Sequence, residues 1–270
     1  MPDNLLILIV GGLFSGVLAG FLGIGGGTVL VPILVTLGYT PVQAVATSSL
    51  AIVITSISGS IQNWRMGFLD LKKVLYLGLP SLLTAQLGVY IASNVASYIL
   101  LFAFGLLLWL NIYLVELRKQ VIARKEREAK ELEAGEIAKT SDKAINPVVA
   151  RIATGGIAGT LAGLFGIGGG VIMVPMQMLL LGETIKVAIQ TSLGVIMITA
   201  IAATSGHYLA GNVLAIPGLI LGSGGLVGAQ VSTRFLPKLS DKVVSFAFRA
   251  LLALLSINIF WQAWIKFAAR

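Results

Sequence analysis

Residues 12–32 read GLFSGVLAGFLGIGGGTVLVP, and residues 155–175 read GGIAGTLAGLFGIGGGVIMVP. The two stretches align without a gap at an offset of 143, with 12 of 21 positions identical. Gly23-Ile24-Gly25-Gly26-Gly27 recurs unchanged as Gly166-Ile167-Gly168-Gly169-Gly170. Self-similarity of this length marks a duplicated structural unit. Carrying the offset forward sets Ser48-Ser49-Leu50 on Thr191-Ser192-Leu193. After one residue of drift, Gly67 meets Gly211 and Ala85-Gln86 meets Ala229-Gln230. The chain therefore divides into two homologous halves, residues 1–115 and 148–270, joined by a charged segment over 116–147.

Working outward, the whole chain of 270 residues is 57% hydrophobic and 11% charged. A soluble domain carries about 25% charged residues, so a water-soluble globule is excluded. Residues 116–143 hold 8 Lys/Arg and 7 Asp/Glu, which leaves 11 basic and 4 acidic side chains for the rest. Apolar runs cover Leu5–Leu37, then about 42–62, 74–92, 96–115, 148–181, 187–206, 213–235 and 243–265. A bilayer-crossing helix needs about 20 such residues, so the chain reads as an all-α polytopic membrane protein. The alternating short segments of a β-barrel are not seen. The formal charge of +8 is explained by cytoplasmic loops rich in Lys and Arg, not by a nucleic-acid partner.

The positive-inside rule puts the loop with Arg65, Lys72 and Lys73, the central linker, and the loop with Arg234, Lys238 and Lys242 on the cytoplasmic side. The uncharged loops at Ser93–Ser97 and Gly206–Gly211 then lie outside. With the linker inside, residues 148–181 must enter and leave on one side. Their 34 residues are too few for two crossings. They predict a glycine-broken hairpin, re-entrant or broken-helix, of two half-length helices meeting near mid-membrane. The same holds for residues 5–37. Each half then has one hairpin and three crossings, and an odd number of crossings makes the halves inverted repeats, the plan of many secondary transporters. Lys266 and Arg270 fall on the outside under this plan, against the charge rule.

Gly12, Gly16 and Gly20, like Gly155, Gly159 and Gly163, share a helix face and predict close helix packing. The runs at Gly25, Gly26, Gly27 and at Gly168, Gly169, Gly170 are different, because consecutive glycines break a helix. Unwound backbone within a bilayer is tolerated only beside protein or a watery cavity. A helix that restarts at Thr28 or Val171 offers unpaired N–H groups and a positive dipole end, and glycine amides admit an anion closely. Thr47, Ser48 and Ser49, and Gln190, Thr191 and Ser192, add hydroxyl and amide donors; their other reading is helix capping and interhelical bonding. Gln86 and Gln230 are repeat-related amides that either bind helices together or line the route. His207, the only histidine, is expected at the outer interface. Arg249 is expected to snorkel to the cytoplasmic edge. Both are candidates for lining the pathway.

The residues also exclude chemistries. The chain has no cysteine, which removes disulfides, thiolate metal sites and cysteine nucleophiles. One histidine does not make a zinc or haem site, so no metal or cofactor is expected. Asp70, Glu116, Glu183 and Asp241 all sit at loop edges, and no carboxylate is expected deep in a span, where cation transporters and proton pumps place them. No GxxxxGK[ST] sequence is present for ATP binding, and no serine-hydrolase context accompanies the histidine. An enzyme is not expected.

At the paired motifs, Gly16-x3-Gly20-x2-Gly23-Ile24-Gly25-Gly26-Gly27 with Val31-Pro32 and Gly163-x2-Gly166-Ile167-Gly168-Gly169-Gly170 with Val174-Pro175, the chain resembles the TauE/SafE (TSUP) family of sulfite and organosulfonate exporters. Ala46-Thr47-Ser48 and Gln190-Thr191-Ser192-Leu193 are also similar to the family pattern. The likeness covers all but the linker. It implies a permease of the cytoplasmic membrane for a small sulfur or carbon oxyanion, in either direction. The reading is thus a secondary transporter of sulfite, an organosulfonate or a related anion working by alternating access, with membrane lipid and the small anion as partners. Its alternatives are an anion channel with two facing re-entrant loops and a non-transporting membrane assembly factor. Substrate, direction, coupling ion and oligomeric state are not readable.

Overall fold

A computed structural model describes residues 2–133 and 146–268, with side chains described for 5–117 and 146–268. The helices are α1 (Pro2–Leu22), α2 (Gly27–Thr36), α3 (Pro41–Arg65), α4 (Leu71–Asn94), α5 (Ser97–Glu133), α6 (Pro147–Phe165), α7 (Gly170–Leu180), α8 (Ile185–Leu209), α9 (Ala215–Phe235) and α10 (Asp241–Ala268). There is no strand among the described residues. Eight helices, all but α2 and α7, are long and apolar enough to cross a membrane. Of the linker expected over 116–147, the part to Glu133 continues α5, and residues 134–145 lie outside the described residues, as does Arg270.

The two central helices start at side-chain caps. Thr40 caps α3 by accepting from Gln43 N, Pro41 follows at the first helical position, and Gln43 returns a bond to Thr40 N. Thr184 caps α8 by accepting from Val187 N, without a proline or a reciprocal bond. Thr40 and Thr184 are 144 apart, as are the first residues of α3 and α8, of α4 and α9, and of α5 and α10. The offset of 143 expected at Ser48 therefore needs correcting. The added residue lies earlier, within the short helices: α2 has 10 residues and α7 has 11. In the structure Thr47 corresponds to Thr191 and Ser48 to Ser192.

The hairpins also differ from the expected pair of half-length helices. α1 and α6 have 21 and 19 residues, so α1 is about 30 Å long and α2 about 15 Å. The break falls late in each apolar run, and the arms are unequal for that reason. Ser15 Oγ donates to Gly26 O at 3.0 Å, and a Cβ on Gly11 would stand 3.2 Å from Ile33 Cδ1. α2 thus runs back along α1.

The halves interlock. The small-residue face of α1 lies on α9, with Gly12 against Leu221 and Gly16 against Gly225. α6 lies on α4, with Gly155 against Leu77 and Gly159 against Ser81. Each half thus supplies the seat for the other's first helix, and any side chain at these glycines would meet backbone. α3 and α8 form the centre, both 72% buried over their spans. α5 and α10 are outermost, joined by edge-on aromatic pairs Tyr98–Phe267 and Phe102–Phe260. Leu83, Trp109, Phe246 and Trp264 are exposed on the periphery, an inside-out apolar surface suited to lipid.

The ion pairs gather at one end of the bundle. Lys73 pairs with Glu183, Lys186 with Asp241 at 3.5 Å, and Arg249 with Glu116 at 2.9 Å. They bring together the starts of α4, α8 and α10 and the apolar end of α5. At the other end Asn212 Nδ2 donates to Ser93 Oγ at 3.4 Å.

Candidate functional site

The two glycine breaks meet at the centre of the molecule. Gly23, Gly25 and Gly26 have φ of 65°, 73° and 82°, and Gly166, Gly168 and Gly169 have 63°, 69° and 78°. That left-handed backbone is costly for any residue with a Cβ, and it reverses the chain within four residues. Gly27 packs against the carbonyl of Gly166, and Gly170 against that of Gly23. The tips overlap: Gly23 lies beside Ile189 and Ser192, Gly166 beside Val45 and Ser48, and Gly25 near Ile167 O at 3.0 Å from its would-be Cβ.

Serines hold the crossing. Ser48 Oγ donates to Gly166 O at 2.8 Å, and also lies 2.9 Å from Val45 O. Its counterpart Ser192 lies 2.9 Å from Gly23 O and 2.9 Å from Ile189 O. Thr199 Oγ1 donates to Gly168 O at 2.9 Å. Each break is thus strapped by hydroxyls, two of them from the opposite half. Ser49 bonds Val45 O in its own helix at 2.9 Å, and Thr47 Oγ1 accepts from Leu214 N at 3.2 Å at the start of α9. The hydrogens of Ser48, Ser49 and Ser192 are thus engaged with main-chain carbonyls.

The helix restarts remain open. Val29 N and Leu30 N reach Gly26 O, and Met173 N reaches Gly169 O. The N–H groups of Gly27 and Thr28, and of Gly170, Val171 and Ile172, have no carbonyl acceptor. Both Gly26 and Gly169, which precede these helices, lack a side chain that could cap them. Thr28 Oγ1 is buried without a partner. The space beside Gly25 and Gly168 is filled by Ile52 and Ile196, whose Cγ2 atoms stand 2.7–3.4 Å from the would-be Cβ positions. Ile52 and Ile196, both fully buried and packed with Ala200, make an apolar plug between the tips.

The remaining candidates lie around this centre. Gln86 Nε2 donates to Ala202 O at 2.7 Å, joining α4 to α8. Gln230 donates to Gln62 Oε1 at 2.8 Å and accepts from Ser58 at 3.0 Å, joining α9 to α3. Gln190 and Thr191 are buried on α8 between Ile189 and Ser192, the two residues that touch Gly23. His207 is not at the interface, as expected, but fully buried, with Nε2 2.9 Å from Gly163 O. The break after Phe165 deprives that carbonyl of its helical partner, and the imidazole supplies one. Arg249 lies on the rim between α10 and α5, paired with Glu116, away from the crossing. Sequence reasoning missed Asn63, Ser60, Thr199 and Thr233. The 144 offset would have found two of them, because it sets Asn63 on His207 and Ser60 on Thr204. The outer grooves, such as the one of about 380 Å³ lined by Tyr98, Phe102, Phe260 and Trp264, lie on the apolar periphery.

With a doubly broken, interlocked helical core in view, comparison with known proteins is decisive. Residues 8–259 match the family described as Sulfite exporter TauE/SafE. The chain belongs to the sulfite exporter TauE/SafE family. It is 28% identical to the probable membrane transporter protein YunE of Bacillus subtilis over 96% of this chain and 98% of that protein. It is 31% identical to the probable membrane transporter protein MJ0441 of Methanocaldococcus jannaschii over 76% of this chain and 73% of that one. A TauE/SafE family protein of Arabidopsis thaliana, Sulfite exporter TauE/SafE family protein 1, is 31% identical over 42% of this chain and 26% of its own length. No solved structure matches the chain significantly. As a TauE/SafE protein the chain is a multi-pass membrane transporter, and its bacterial relatives point to the cytoplasmic membrane. Among the described residues no cluster of His, Asp or Glu stands ready for a metal ion.

Proposed function

We propose that this protein is a secondary transporter of a small oxyanion, sulfite, an organosulfonate or a related sulfur or carboxylate anion, working by alternating access between two inverted repeats, 1–115 and 148–270. The observation that carries the reading is the pair of unsatisfied helix starts at Gly27–Thr28 and Gly170–Ile172, buried and in contact with the opposite break. A buried N–H without an acceptor costs about 1–3 kcal/mol, a cost recovered when an anion accepts from it. The plug of Ile52 and Ile196 against both tips makes the described conformation occluded. Access from either side requires the tips to separate.

The inverted arrangement is supported by the ion pairs. The start of α8 shares an end of the bundle with the start of α4, whereas α3, the counterpart of α8, finishes just before α4. One charge leaving an inside-negative cell gains about 2.3 kcal/mol per 100 mV, enough to drive export without a coupled cation. The channel reading has less support, because the Ile52 and Ile196 side chains fill the space beside Gly25 and Gly168 where the two tips meet.

The test is flux in proteoliposomes. Saturable, trans-stimulated exchange of sulfite, sulfoacetate, thiosulfate or acetate is expected from a carrier. Large unitary currents would replace the carrier by a channel, and no flux of any of these anions would remove the reading.

A further inference from the structure

Between the first glycine tip and the charged end of the bundle, four helices converge on a knot of buried polar side chains. The end of α1 brings Gly20, the end of α3 brings Gly59, Ser60 and Asn63, the start of α8 brings Gln190 and Leu193, and the end of α9 brings Thr233. Thr233 Oγ1 stands 2.7 Å from a would-be Cβ on Gly20 and 3.3 Å from one on Gly59. Leu193 Cδ1 is also 3.3 Å from the Gly59 position. One turn on, Asn63 Nδ2 reaches Gln190 O at 3.4 Å.

These side chains are withdrawn from solvent, with relative exposures of 4% for Ser60, 0% for Asn63, 5% for Gln190 and 0% for Thr233. Yet among the described residues Ser60 Oγ, Asn63 Oδ1 and Thr233 Oγ1 have no hydrogen-bond partner. Buried polar atoms are nearly always paired, so the hydroxyls of Ser60 and Thr233 and the acceptor Oδ1 of Asn63, all within about a turn of Gly59 or in contact with it, call for a partner that both accepts and donates. The repeat supplies a second, independent instance. At the 144 offset Ser60 becomes Thr204 and Asn63 becomes His207, and Thr204 Oγ1 and His207 Nδ1 are again buried without partners.

Resting on the transport reading above, we propose that Ser60, Asn63, Gln190 and Thr233 form an anion-binding station on the charged side of the isoleucine plug, with Thr204 and His207 marking its counterpart on the other side. The chemistry selects the class of ligand. Asn63 keeps a second N–H, Ser60 and Thr233 each offer an O–H, and Gln190 offers two N–H bonds, so the station supplies donors to several oxygens at once. Among the described residues no Asp or Glu is buried. Arg65 follows Asn63 by two residues, and Arg234 follows Thr233; both are exposed and concentrate anions at the mouth. A small oxyanion that keeps one acidic O–H fits this set, its oxygens accepting from the hydroxyls and its O–H donating to Asn63 Oδ1. The solute then passes from one station to the other only while the plug between them is parted.

The test uses the full-length protein in proteoliposomes, with radiolabelled sulfite, thiosulfate, sulfoacetate and acetate as probes. Ser60→Ala and Thr233→Val each remove an oxygen that has no partner, so neither threatens folding. Each is expected to raise KM for the transported probe about 3- to 10-fold, with the maximal rate within about 2-fold. Asn63→Leu is expected to raise KM at least about 10-fold. Ser205→Ala, on an exposed hydroxyl that bonds only its own helix at Ile201 O, is expected to leave both constants unchanged. Unchanged KM in all three station variants, or a fall in rate alone, overturns the station while leaving the transport reading in place. Wild-type protein that moves none of the four probes overturns both.

Discussion

The hydroxyl of Ser48 lies 2.8 Å from the carbonyl oxygen of Gly166, so a helix of one half holds the broken hairpin of the other. Ser192 does the same for Gly23 at 2.9 Å. In Ser48→Ala or Ser192→Ala a buried carbonyl loses this bond, at a cost of about 1–3 kcal/mol each. Thermal midpoints in detergent are expected to fall for each variant. The double variant is expected to depart from additivity, because both bonds brace one crossing. Unchanged midpoints would contradict the bracing role.

Gly170→Ala places a Cβ on the carbonyl of Gly23 and pushes the two tips apart. Gly38→Ala is the control, since φ there is 93° but nothing lies within 4 Å. The control carries backbone strain of about 1–2 kcal/mol and is expected to transport normally. The Gly170 variant is expected to insert, as judged by monodisperse elution, and to lose transport. Equal activity in the two would show that the contact between tips is unimportant.

Ile52→Ala and Ile196→Ala each hollow the plug, at about 2–5 kcal/mol of stability. Together they are expected to raise uncoupled anion leak through the membrane, read as flux that no longer saturates or responds to trans substrate. A double variant that stays as tight as wild type would mean that the barrier lies elsewhere.

The chain has no cysteine, so single introduced thiols report sidedness directly. Lys72→Cys and Ser240→Cys are expected to react with an impermeant maleimide only from the cytoplasm, and Ser93→Cys and Leu209→Cys only from outside. Lys72 and Ser240 reacting from opposite sides would refute inversion.

His207 supplies the bond that Gly163 O loses at the break. His207→Asn copies Asn63 of the other half and is expected to keep activity within several-fold. His207→Leu strands the carbonyl and is expected to cost about 1–3 kcal/mol, measured as a lower thermal midpoint. Equal midpoints would show that the imidazole contact is idle.

Much of this was legible in the residues. Consecutive glycines interrupt a helix wherever they stand, so Gly23–Gly27 and Gly166–Gly170 announced the two breaks, and their repetition announced two related halves. Charge marked the Arg65 and Arg234 loops, which lie at the end of the bundle where the ion pairs gather. What was not legible depended on register and on packing partners. An added residue in α7 shifts every later pairing, which hid the match of Asn63 with His207. Ile52 and Ile196 are ordinary apolar residues in apolar helices, and only their seat between the tips makes them a plug. The hydroxyls of Ser48 and Ser192 could have faced a solute as readily as a carbonyl, and the fold decided for the carbonyl in the described conformation.

One arm of ten residues facing another of eleven has a thermodynamic consequence. Perfect duplicates related by inversion would have inward- and outward-facing wells of identical depth. Under the alternating access proposed above, the spare residue joins the other sequence differences between the halves in lifting that degeneracy, so one compartment is preferred at rest before any solute binds.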